Sequence, residues 1–273
     1  MAASRCTHYA VKMRRYRVVR HFAFCWLALL FVPFVHAQKT QADLNARLLN
    51  KPLFLREKWV NDKLKFDAQG QLLGKSDRVV FTLAGIDVTK VKLSSGQLNI
   101  SGRRVGVIFE HDVPRRVALD DMSLEIAAPS DGDYTHALDA IFVDDLAHMS
   151  PFVPSWWQQY FAEHFSSDSP AVSESKSRAR KVGGAVKSPV LLSHSEPRFN
   201  AIARKLKYSG TTLISMTIDT DGAPKNLRVV RPIGLGLDDQ AIAAAAQYRF
   251  RPATENDLPV AVQVNVEVNF QID

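Results

Sequence analysis

Val260-Ala261-Val262-Gln263-Val264-Asn265-Val266-Glu267-Val268-Asn269-Phe270-Gln271 places valine or phenylalanine at every even position, with polar side chains at the odd positions from Gln263 onward. Successive side chains of an extended chain point to opposite faces, so this stretch is a strand with one apolar and one polar face. Alternation of this kind belongs to an antiparallel sheet whose helices cover one side only. Immediately upstream, Leu237 to Tyr248 is an alanine-rich helix, with Asp238 or Asp239 placed to cap its start and complement its dipole. Before it, Thr212, Ile214, Met216 and Ile218 mark one face of another strand. Asp219-Thr220-Asp221-Gly222 supplies turn chemistry, and Leu227 and Val229 belong to the strand that returns. Phe199 to Lys207 suits a short helix. The order helix, strand, strand, helix, strand predicts two helices on a three-stranded antiparallel sheet over residues 189–273.

A sheet that small has edges, which are either protected or used to recruit an extended peptide as an added strand. The candidate template for such a peptide is the last strand, at Val262, Gln263, Val264, Asn265, Val266, Glu267 and Val268. Sequence order alone leaves open which strand lies outermost.

Residues 166–188 hold seven serines, adjacent Gly183 and Gly184, five basic side chains and no aromatic one. Such a segment buries too little apolar area to offset its ordering entropy, and it is expected to be a flexible linker between two independently folding units. On its far side, residues 38–165 are expected to form a β-rich domain. Val79, Phe81 and Leu83 alternate, as do Val91 and Leu93; Leu98 and Ile100 follow the Ser95-Gly96 turn, and Val105, Val107 and Phe109 come next. From Asp131 to Met149 the period becomes near-helical. A helix is then expected from Ser155, with Ser155 and Gln158 as a capping box. It carries Trp156, Trp157, Tyr160, Phe161 and Phe165, a face that packs on the sheet or, alternatively, meets a partner or a membrane surface. The overall class is α+β.

The net charge of +7 over 273 residues suggests nucleic acid or an anionic membrane as partner until the charges are placed. Six of the 35 basic residues lie in positions 1–37, which contain no Asp or Glu, leaving 29 basic against 28 acidic side chains. The basicity belongs to the leader, so no nucleic-acid partner is indicated. That leader reads as a signal peptide: basic residues, an apolar run from Phe22 to Val35, then Val35-His36-Ala37, with cleavage expected between Ala37 and Gln38. The run is short for a membrane span, which needs about 20 apolar residues; an uncleaved anchor facing the periplasm is the alternative. Cys6 and Cys25 are the only cysteines, which excludes a disulfide framework or thiolate chemistry beyond the leader.

The carboxy-terminal segments together resemble the carboxy-terminal domain of TonB-family energy transducers. The motifs that carry the resemblance are Pro197-Arg198-Phe199 with Ala203-Arg204, then Gly210-Thr211, then Asp219 to Gly222 with Asp221 inside it. They continue with Gly234-Leu235-Gly236-Leu237-Asp238, Tyr248-Arg249-Phe250-Arg251-Pro252-Ala253, and Pro259-Val260. The resemblance implies a periplasmic protein that binds extended peptides of TonB-dependent outer-membrane receptors in energy-dependent nutrient transport. If the anchor is retained, it also implies inner-membrane proton-channel proteins as partners. Two features depart from the family's pattern: the apolar run ends in a cleavage site, and a β-rich domain with a serine-rich linker replaces a long proline-rich spacer.

Two other classes of function stay open at this stage. One is a structural envelope module that binds without energy input. The other is a metal-dependent enzyme drawing on Asp131, Asp133, His136, Asp139, Asp144, Asp145 and His148, where Asp144 and His148 share a helical face. No HExxH, second tight cluster or nucleophile elbow accompanies these residues, so no catalytic, cofactor or metal residue is assigned. Asp219-Thr220-Asp221-Gly222 opens like a calcium loop but lacks the later ligands, and a hairpin turn explains it.

Overall fold

The computed structural model describes residues 40–94, 96–165, 180–181 and 183–272. The expected signal peptide 1–37, its cleavage between Ala37 and Gln38, and most of the expected linker lie outside these residues.

Helix α1 (Gln41–Leu48) opens the described part of the expected β-rich domain. Thr40 and Asp43 cap it reciprocally: the Asp43 N–H donates to Thr40 Oγ1 at 3.2 Å and the Thr40 N–H to the Asp43 carboxylate at 3.0 Å. Leu44 and Leu48, one turn apart, are buried beneath it. Strands β1 (Leu53–Leu55), β2 (Lys63–Phe66), β3 (Gly85–Ser94), β4 (Gln97–Glu110), β5 (Val113–Ala127) and β6 (Phe142–Val143) follow. They form a six-stranded sheet in the order β2-β5-β4-β3-β1-β6, antiparallel except where β2 lies beside β5. Phe81 to Leu83 is a buried 3-10 turn rather than the strand its alternation suggests.

Strand β4 serves two cores. Leu98 and Ile100 pack with Leu64, Phe66, Leu124, Ile126 and α1, while Val107 and Phe109 pack with Trp157, Tyr160 and residues of the carboxy-terminal region. The buried positions switch from even to odd at the register shift against β5 between Arg103 and Val105. The extra residue at this shift lies on β5, between Ala118 and Asp121, while β4 alternates without a break, so its even and odd side chains face opposite sides of the sheet, one toward each core. Arg104, buried at this switch, donates to Asp62 Oδ1 at 2.9 Å and to the carbonyls of Trp59, Val60, Asn61 and Leu83. Its five N–H groups are therefore matched, which keeps a buried guanidinium tolerable.

The helical stretch expected over 131–149 is interrupted by β6: α2 (Thr135–Ile141) precedes it and a 3-10 segment (Ala147–Phe152) follows. Helix α3 (Ser155–His164) starts where expected but without the capping box. Pro154 stands at the N-cap, and Gln158 donates instead to the carbonyls of Ser150 and Val153.

The remaining strands are β7 (Arg180–Lys181), β8 (Val186–Lys187), β9 (Val190–Ser193), β10 (Gly210–Ile218), β11 (Pro224–Arg231), β12 (Arg249–Arg251), β13 (Ala253–Glu255), β14 (Leu258–Val260) and β15 (Val262–Phe270). The helices here are α4 (Ala201–Lys205) and α5 (Leu237–Ala245). The main sheet runs β11-β10-β15-β7. It has four strands rather than the expected three, because residues 180–181 of the expected linker pair with β15. Short ribbons, β12 with β9 and β14-β13-β8, flank it. Residues 186–187 of the expected linker lie in the second of these, since Val186 is an apolar anchor that joins the core.

The two halves do not pack as separate units; their described residues form one compact unit with a shared core. Phe54, Phe81, Phe109, Trp157 and Phe161 from the first half and Ile214, Val229, Leu237 and Phe270 from the second belong to the same apolar cluster. The aromatic face of α3 supplies its centre, which settles its role in favour of packing. At the joint, Ile108 and Gly234 form an antiparallel bridge: the Phe109 N–H donates to the Ile233 carbonyl at 3.0 Å and the Leu235 N–H to the Val107 carbonyl at 2.8 Å. The Gly236 N–H donates to Thr82 Oγ1 at 2.9 Å.

Candidate functional site

β15 pairs with β10 over all nine of its residues, from Val262 opposite Ile218 to Phe270 opposite Gly210. Val262 and Val268 are buried, Val264 and Val266 half-buried, and Gln263, Asn265 and Glu267 exposed, as period-two alternation requires. The outward face is laced across strands: Gln263 Nε2 donates to Ser215 Oγ at 3.0 Å, and Arg231 on β11 reaches over β10 to Glu267 at 3.0 Å. The two sides of the sheet differ. β11 is the outer strand on one side, and α3 packs along it, with Arg228 bonded to Gln159 and Trp156 Nε1 donating to Asp239 at 3.0 Å. On the other side, β7 meets β15 only at Val262 and Gln263. Among the described residues no strand pairs with the outer side of Val264 to Phe270.

The family-motif residues hold this sheet. Phe199 packs edge-on against Phe270, with ring centres 5.3 Å apart. Asn200 caps α4, accepting from the Ala203 N–H at 2.8 Å, and Arg204 is exposed. At the β10–β11 turn, Asp219 pairs with Lys225, and Asp221 Oδ1 accepts from the Ala223 N–H at 2.8 Å. Gly222, with φ +80°, lies against the backbone of Phe250, whose N–H donates to the Gly222 carbonyl at 3.0 Å. A Cβ there would overlap the Phe250 carbonyl oxygen, so two motifs far apart in sequence meet at a point only glycine fits. Tyr248 and Phe250 are buried, Arg249 donates to the Tyr248 carbonyl at 2.7 Å, Pro252 separates β12 from β13, and Ala253 is fully buried.

Contrary to expectation, neither Asp238 nor Asp239 caps α5 through its side chain; the N-cap is Gly236, with φ +75°, and Asp238 has another role. Its carboxylate, fully buried beside Leu237, instead accepts from the Ile233 N–H at 2.9 Å and the Gly234 N–H at 2.7 Å. It thereby shapes the loop that pairs with β4. Burial pushes its pKa up to about 7, against the opposing pull of those two donors and Thr212, and burial also raises neighbouring Asp239. The folded value lies above the unfolded one, near 3.9, so the unfolded chain binds fewer protons in between. Stability is therefore expected to fall as pH rises from about 4 to about 7 and to level off above. Thermal unfolding of Asp238→Asn should show a shallower decline between pH 5 and 8 than the unaltered protein; equal slopes would contradict this assignment.

The acidic and histidine-bearing stretch is dispersed. His148 Nδ1 lies 2.7 Å from Asp144, an exposed pair that raises the histidine pKa and lowers that of the aspartate through their mutual hydrogen bond. Asp139 pairs with Arg47, and Asp131 and Asp133 accept from nearby backbone N–H groups. Among the described residues no three His, Cys, Asp or Glu side chains gather closely enough to hold a metal.

Residues 195–272 match the family model described as Gram-negative bacterial TonB protein C-terminal. Protein TonB of Vibrio cholerae serotype O1 (strain ATCC 39315 / El Tor Inaba N16961) is 29% identical over 90 residues, 32% of this chain and 37% of that relative. The chain thus spans little more than a third of the curated relative it matches. A solution NMR structure of the Pseudomonas aeruginosa TonB carboxy-terminal domain aligns at 23% identity, covering 33% of this chain and 90% of that one, with a TM-score of 0.28. With the motifs from Pro197 to Ala253 in place around the β10–β11–β15 sheet, the chain carries a TonB-family C-terminal domain over residues 195–272.

Proposed function

We propose that this protein works in the periplasm, in TonB-dependent transport across the outer membrane, by binding extended peptides of outer-membrane receptors along the β15 edge. The observation that carries this reading is the asymmetry of the sheet: α3 packs along β11, whereas Val264 to Phe270 is a seven-residue edge that no described strand covers. A peptide laid there gains ladder hydrogen bonds of about 0.5–1.5 kcal/mol each, and its alternate side chains reach either the half-buried valine face or the polar face. This is a binding role, not catalysis. Inner-membrane proton-channel proteins join the partners if Phe22 to Val35 stays attached; without that attachment the domain binds passively. The amino-terminal residue of the protein recovered from periplasm, read by mass spectrometry, separates the two: Gln38 indicates the cleaved form.

Main-chain pairing is largely indifferent to the template's own side chains. Asn265→Ala is therefore expected to change affinity for a receptor peptide by no more than about twofold. Val266→Pro, which removes a backbone donor at mid-strand, should abolish binding. Isothermal titration, with circular dichroism to verify that the proline variant keeps its sheet, checks both. A large loss for Asn265→Ala, or full affinity in a folded Val266→Pro, would overturn the reading.

A further inference from the structure

We infer that the chain itself closes the amino-terminal end of the β15 edge. In this arrangement Arg180–Lys181 compete with any incoming peptide for Val262 and Gln263 and confine it to Val264–Phe270. The inference rests on β15 being the docking edge, and it adds what limits that edge. β7 runs parallel to β15, with Arg180 opposite Val262 and Lys181 opposite Gln263. Directly afterwards the chain turns away: Gly183 (φ +131°) and Gly184 (φ +63°) adopt backbone conformations that side chains resist, and the Val186 N–H donates back to the Gly183 carbonyl at 3.2 Å. The turn is then fastened. Val186 is buried in the shared core, β8 pairs with β13 through Val186–Glu255 and Lys187–Thr254, and Lys187 forms a 2.8 Å ion pair with Asp257.

Such an anchor, five residues beyond Lys181, holds the self-strand at high local concentration beside β15. The glycine turn prevents it from continuing along Val264. A strand held in this way is a competitor at two positions and absent from the other seven. A peptide reaching past Val264 toward Val262 binds in proportion to the fraction of molecules whose self-strand has left.

The test uses the full chain and blocked synthetic peptides with alternating apolar and polar residues: Lys-Val-Ser-Val-Thr-Val-Lys, and two nine-residue versions extended by Val-Ser at one end or the other. In the unaltered protein all three should bind with similar affinity, and amide shifts should stop at Val264. In Arg180→Pro/Lys181→Pro, one nine-residue peptide should gain about tenfold, with shifts spreading to Val262 and Gln263, while the seven-residue peptide is unchanged. Arg180→Ala/Lys181→Ala, which keeps the backbone donors, should behave like the unaltered protein. A nine-residue peptide already about tenfold tighter on the unaltered protein, or no gain on releasing the strand, overturns the inference and leaves the docking edge standing. Failure of every peptide on every variant overturns the docking edge itself.

Discussion

Trp157→Ala is expected to destabilise the whole described unit by about 3–5 kcal/mol, the cost of emptying the largest side chain from a packed core. Trp157 is fully buried, with Phe81 4.8 Å away edge-on, Phe109 at 6.0 Å, and Tyr160 and Phe161 on its own helix. Phe81 and Phe109 belong to the amino-terminal half, whereas the same cluster includes Ile214, Val229 and Phe270 of the TonB-type domain. No smaller neighbour can collapse into the space without moving both halves. A typical folded domain has about 5–15 kcal/mol of stability in all, so the loss is a large fraction of it. Thermal denaturation followed by circular dichroism should show one cooperative transition shifted down by roughly 10 °C. Two transitions, one of them unmoved, would mean that the halves fold independently and that the shared core does not couple them.

Gly234→Ala is the second change with a large expected effect, and it acts on the backbone joint. Gly234 has φ +91°, and a Cβ there would collide with the Val107 carbonyl and the backbone of Ile108. The bridge between β4 and residues 233–235 must open to admit it, losing the Phe109–Ile233 and Leu235–Val107 hydrogen bonds. Two such bonds at about 0.5–1.5 kcal/mol each, with about 1–3 kcal/mol of backbone strain, sum to about 2–6 kcal/mol. Hydrogen exchange should become fast at Phe109 and Leu235 while β10 and β15 stay protected. Gly74, at φ +103° with open space around it, supplies the control: Gly74→Ala carries the strain without the collision and should cost about 1 kcal/mol. Equal losses in the two variants would show that the joint contributes nothing.

The carboxy-terminal sheet was legible in the sequence because its strands each bury one face. The valines of β15 and the alternation of Thr212 to Ile218 announce a period of two, and Asp219 to Gly222 announces the turn between β10 and β11. What local patterning could not show is what meets across distance. Nothing near Ile108 signals that it will bridge Gly234, and nothing near Gly222 signals Phe250; these meetings depend on tertiary packing. Other misses had visible causes. The Thr40–Asp43 capping box marks α1 and was there to be found, whereas the Ser155–Gln158 pair imitated one that Pro154 displaced. The serine-rich composition of 166–188 concealed Val186, a single apolar anchor that suffices to bring β8, and with it β7, onto the domain. The candidate edge was legible as a strand, but its place at the side of the sheet where no described strand pairs beyond Gln263 was not, because that depends on tertiary packing.

The most direct test of the central claim is amide chemical-shift mapping of the isotopically labelled full chain, titrated with a periplasm-facing segment of an outer-membrane receptor. Docking at the β15 edge predicts shifts that run along Val264 to Phe270 and leave Pro224 to Arg231 unmoved. Shifts along β11, shifts confined to residues 131–148, or none at millimolar peptide would contradict it.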